Sequence, residues 1–103
     1  MANTLTIAAP SNIGGSTSYL ELRFTVTSGA TTISDTYYYF HANDFGSVYD
    51  TSSPNMAVLQ LGANHVFTMT NGDYGSIIYG GVAQTNVVAA ALSIVTAIAP
   101  FTT

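Results

Sequence analysis

From Tyr19 to Thr27 the chain alternates without a break, with Leu20, Leu22, Phe24 and Val26 falling on one side. Tyr19, Glu21, Arg23, Thr25 and Thr27 fall on the other. A helix would scatter that apolar set around its circumference, whereas a strand gathers it on one face, so the pattern commits the segment to β structure. Ser28-Gly29-Ala30 makes a turn, and Thr31 to His41 reads as the returning strand of a hairpin.

The same signals recur along the chain. Thr4 to Ala8 reads as a short strand or arm before Pro10, and Met56 to Leu61 and His65 to Thr70 as strands separated by a turn at Gly62-Ala63-Asn64. Asn71-Gly72 between two β-like runs is a strong type I′ hairpin signal, because both central positions of that turn need positive φ. Its predicted partner strand is Tyr74 to Tyr79, ended by Gly80-Gly81. Residues 42 to 55 are rich in turn formers and read as an irregular stretch, pinned to the body by Phe45, Val48 and Tyr49.

The segment from Asn86 to Ile98 admits two readings. A helix would be capped by Asn86, carry Val88, Leu92, Val95 and Ile98 as a stripe, and stop before Pro100. A strand would place Val88, Ala90, Leu92, Ile94 and Ile98 on one face. No charged residue marks a wet side for a helix, which favours the strand. The expectation is an all-β fold, a small antiparallel β-sandwich or barrel of about seven short strands, with the last segment helical in the alternative. Residues 1–103 form a single domain in this reading, with 1–10 as an extended N-terminal arm.

Composition then narrows the function. Charged residues make up 6% of the chain, against about 25% in an ordinary domain. Arg23 is the one basic side chain, and the acids are Glu21, Asp35, Asp44, Asp50 and Asp73. Nucleic acid and anionic membranes are excluded as partners, because phosphate contacts need several cations. The N-terminus lacks the basic start and apolar run of an export signal. Cysteine is absent, which removes disulfides, thiolate metal sites and cysteine nucleophiles.

Catalytic chemistry finds no footing. There is no Gly-x-Ser-x-Gly elbow and no phosphate-binding glycine loop, and paired carboxylates would need two of only five acids in one cleft. His41, Asn43 and Asp44 lie close in sequence but outside any metal-ligand spacing. The oxygen-rich run from Asn43 to Asp50 lacks the order of an EF-hand loop. The chain is therefore read as a non-enzyme with no metal and no cofactor.

What remains is a surface suited to protein. Tyr37, Tyr39 and His41 share one face of their strand, with Tyr38 and Phe40 on the other, and tyrosine is enriched at interfaces. Glu21 and Arg23 project from the same face as Tyr19. They pair with each other, or Arg23 reaches an acid on a neighbouring strand or on another subunit; a solvated pair contributes well under about 1 kcal/mol, and the sharper expectation is an ion pair between subunits. The interface candidates are Arg23, Glu21, Tyr19, Tyr37, Tyr39 and Phe40, with Leu5 and Ile7 from the arm. These point to a structural self-assembly protein whose partners are itself or a larger capsid or filament protein. A decoration or cement component on the outer surface of a virion fits best. The alternatives are an extracellular filament subunit and a carbohydrate-binding module with exposed tyrosines, the latter weakened by the absence of tryptophan.

Overall fold

The predicted hairpin is the largest element. The computed structural model describes residues 3–14, 18–49, 52, 55–62 and 65–102. In it β3 (Tyr19–Ser28) and β4 (Thr31–His41) pair antiparallel from Tyr19 opposite His41 to Ser28 opposite Thr31, with a register shift between Val26 and Thr27. Gly29 closes the turn at φ +60°, a conformation that glycine adopts without a Cβ clash. Leu20, Leu22 and Phe24 are buried, as their alternation requires.

β1 (Asn3–Ile7) lies between β3, to which it is antiparallel, and β8 (Tyr74–Tyr79), to which it is parallel. β2 (Ser11–Asn12) pairs with the first part of β3, and β9 (Val82–Gln84) extends the sheet beyond β8. A second sheet runs β5 (Phe45–Tyr49), β6 (Met56–Leu61), β7 (Val66–Thr70), all antiparallel. The two sheets face each other across one core, where Phe24 stacks on Phe67 with ring centroids 4.2 Å apart. The architecture is an all-β sandwich with one helix near the C-terminus.

Five expectations change. Residues 87–98 form helix α1 (Val87–Ile98), not a strand. Val87, Ala90, Ala91, Ile94 and Ile98 form its core-facing stripe, and only Leu92 and Thr96 are exposed. A helix packed against both sheets has hardly any wet side to mark with charge, so the missing charge carried no information about its type. The Asn86 side chain caps it, accepting from the Ala89 N–H at 2.9 Å. Ser93 and Thr96 return their hydroxyls to the carbonyls of Ala89 and Leu92.

Asn71-Gly72 does not make a hairpin. It lies in a 3₁₀ turn, Asn71–Asp73, that carries the chain from the small sheet to the large one. Both flanking runs are strands, but β8 already has β1 and β9 as neighbours. Phe45, Val48 and Tyr49 belong to a strand, β5, paired with β6, so the predicted irregular stretch begins with ordered structure. Asp50, Ala63 and Asn64, which the sequence places in loops, lie outside the described residues.

The N-terminal segment is not an arm offered to a neighbour over β1. Leu5 and Ile7 are fully buried beneath α1 and the small sheet's core residues, and their strand holds the large sheet together. The strand set is also not wholly antiparallel, because β1 and β8 run side by side in the same direction. Ile7→Ala should cost about 2–5 kcal/mol, as for other buried aliphatic truncations. Urea unfolding followed by far-UV circular dichroism would measure it, and removal of residues 1–8 should abolish the cooperative transition. A truncated chain that melted like the full one would contradict the central place of β1.

Candidate functional site

Strand register assembles the predicted polar and aromatic residues on one surface. Tyr19, Glu21, Arg23 and Thr25 of β3 stand opposite His41, Tyr39, Tyr37 and Asp35 of β4. Directly opposed residues share a face, so all eight lie on the outer side of the large sheet, away from Leu20, Leu22 and Phe24. Thr4 and Thr6 of β1, opposite Thr27 and Thr25, continue it.

Arg23 takes its partner from its own chain. Its Nε donates to Asp35 Oδ1 at 2.8 Å and its Nη2 to Asp35 Oδ2 at 2.7 Å, a two-point contact that fixes both side chains. The Thr25 hydroxyl donates to the same carboxylate at 3.2 Å. The guanidinium also sits 5.0 Å from the centre of the Tyr37 ring. These bonds hold Arg23 still more firmly protonated than usual and hold Asp35 below the ordinary carboxylate range. Of the partners open to Arg23, the structure has the acid of the neighbouring strand, a pair within the hairpin, and Glu21 is not its hydrogen-bonded partner. Asp35 wins by position, since it lies diagonally across the ladder from Arg23.

The tyrosines are tethered as well as exposed. Tyr39 is 58% exposed. Partial desolvation and the hydrogen-bonded Glu21 carboxylate raise its phenol pKa. Tyr19 meets the His41 ring edge-on at 5.0 Å, and His41 Nδ1 accepts the Asn43 N–H at 3.1 Å, so this histidine is committed to its own loop. Phe40 is different. It faces inward, buried against the core and Phe45, and offers nothing to a partner. Among the described residues no three His, Asp or Glu side chains gather as a metal site, and no helix is long and apolar enough to cross a membrane.

Sequence reasoning missed a second surface. On the small sheet, Ala57, Leu59, Leu61 and Met69 face the core. By register, Val48, Met56, Val58, Val66 and Thr68 therefore face outward. Val48 is 72% exposed, and Met56 and Val66 are also more than half exposed. No charged residue occurs anywhere in β5, β6 or β7. The outer side of an antiparallel sheet is normally the polar one. The signal was present as three charge-free strands, but period-two reading alone does not say which apolar set turns inward.

An open cleft of about 250 Å³ is lined by Asn71, Tyr74, Ser76, Gln84, Thr85 and Asn86, among others. Asn71 Oδ1 accepts the Val87 N–H at 2.9 Å, and Asn86 caps the same helix end, so two of its amides hold α1 in place. Comparison with protein-family models, curated proteins and solved structures finds no significant match for the chain.

The Arg23–Asp35 pair sets an expected acid response. Because the folded-state pKa of Asp35 is depressed, its contribution is fully present above the unfolded value of about 3.9 and is lost as pH falls through the folded value. Stability of the parent chain and of Asp35→Asn should differ by a constant amount above about pH 5 and converge below about pH 3.9. Chemical denaturation across that range would show it. A gap that stayed constant down to the lowest pH would remove the pair from the stability account.

Proposed function

We propose that this chain is a structural assembly subunit, packing against copies of itself or on a larger shell or filament protein. A decoration component on the outside of a virus particle is the specific form that fits its physical properties best. The observation that carries the reading is the charge-free outer face of the small sheet, with Val48, Met56 and Val66 exposed together. Covering such a face with protein removes apolar area from water without desolvating a charge. Val58, opposite Val48, lies on the same outer face as Met56 and Val66, and exposed apolar surface of this kind marks interaction sites.

The charge distribution supports the same reading. Arg23 is the one basic side chain, and Asp35 already neutralises it, so no cationic surface remains for phosphate. The Tyr19, Tyr37 and Tyr39 face is less suited to stacking on sugar rings, because the guanidinium of Arg23 covers Tyr37.

Val48→Lys places an ammonium group in the middle of the proposed contact. It should abolish assembly, read as sedimented mass, while changing folding stability by no more than about 0.5 kcal/mol, as usual for an exposed site. Unchanged assembly of that variant would overturn the role of this face. A monomeric parent chain whose melting temperature rose with a soluble glycan would replace the reading with carbohydrate binding.

A further inference from the structure

We infer that β4 is a self-pairing edge, joining the β4 of a second copy of this chain, antiparallel and about a two-fold axis. This names a partner within the assembly reading and rests on it, but uses a different surface. Two large sheets would become one continuous sheet across the contact.

The edge is long, and its one guard is a bulge at Ile33 near the tip. Among the described residues β4 pairs only with β3. Its residues from Thr31 to Tyr37 are all exposed, whichever way their side chains point, so the end of the hairpin extends beyond the core on both faces. Proteins normally protect such an edge with lysine, proline, bulges, inward charges or a cover, since its free N–H and C=O groups invite another strand. β4 contains neither lysine nor proline. Its register shift faces Thr32, Ile33 and Ser34 near the tip, leaving the ladder regular from Ser34 to His41.

Charge identifies the occupant. The only charged side chain of β4 is Asp35, and Arg23 of the same hairpin compensates it at 2.7 and 2.8 Å. Two copies therefore approach edge to edge with no uncompensated charge between them. A foreign edge guarded by Lys or Glu would bring a charge for which β4 has no counter-ion. An antiparallel edge is also complementary to itself, which is the requirement of a two-fold contact.

Register follows from the same constraints. An axis beside Thr36 pairs the regular stretch Ser34 to Tyr38 with its counterpart and keeps the outer faces of both copies on one side. It sets Asp35 opposite Tyr37 of the partner subunit and avoids opposing the two aspartates, an arrangement that like charges disfavour. Ile33, the extra residue of the bulge, then lies near Tyr39 of the partner subunit, within reach of a short cross-linker. The hydroxyls of Thr31, Thr32, Ser34 and Thr36 give the joined strands β-compatible, neutral side chains.

The absence of cysteine makes single thiols unambiguous reporters. Thr36→Cys chains, treated with a short bis-maleimide, should give a covalent dimer in high yield. An equimolar mixture of Ile33→Cys and Tyr39→Cys chains should give a heterodimer, and it serves if Thr36→Cys fails to fold. Far-UV circular dichroism and melting establish folding of each variant. Thr36→Lys, which opposes two ammonium groups at the axis, should lose the dimer at concentrations where the parent chain holds it. A parent chain that assembles, with folded thiol variants that do not cross-link, overturns β4 pairing and leaves the assembly reading standing. A parent chain that stays monomeric at every concentration overturns both.

Discussion

The position of β1 between β3 and β8 is the constraint on which the rest of the structure depends. It joins a hairpin from the first half of the chain to strands from its last third, and it buries Leu5 and Ile7 completely. With β1 in place, β8 is fixed parallel to it, and the chain must leave the large sheet after β4, build the small sheet, and return. The 3₁₀ turn at Asn71–Asp73 makes that return, and Asn71 then holds the first N–H of α1. The helix follows because Val87, Ala90, Ala91, Ile94 and Ile98 close the space between the sheets. Long-range pairing of this kind forms late and slowly, since loop closure precedes its reward.

A core built this way needs no charge, and the outside carries little. The hydroxyls and amides are spent on local tasks: Asn86 and Asn71 cap α1, while Ser93 and Thr96 bond its carbonyls. Arg23, Asp35 and Thr25 form one closed network on the outer hairpin face, with Tyr37 beneath the cation. Two exposed surfaces are neutral: the outer side of β5–β7 and the edge of β4 beside the compensated Asp35. These two surfaces differ in kind, one offering apolar area and the other backbone hydrogen bonds.

Legibility in the sequence followed how local each signal was. The hairpin was readable because alternation over β3 and the glycine at its turn are properties of adjacent residues. The Arg23 pairing was half readable: five acids were candidates, and only the ladder register brings Asp35 diagonally across from it. Asn71-Gly72 misled because turn chemistry reports a reversal of the chain and not which sheet each strand enters. The helix misled because its usual cue, a charged outer stripe, is absent when only Leu92 and Thr96 reach solvent. Leu5 and Ile7 read equally well as core or as a docking arm, since burial in one's own core and burial in a neighbour demand the same side chains.

Under the proposed assembly role, a surface nearly free of charge is a surface made for protein. Sedimentation of the unmodified native chain, over a range of concentration and ionic strength, tests this most directly. The expected result is a species well above the 10.7 kDa of one chain, or one that travels with a larger particle. Its mass should change little with salt, because few ions take part in the contact. A monodisperse 10.7 kDa monomer at high concentration and at every ionic strength would contradict it.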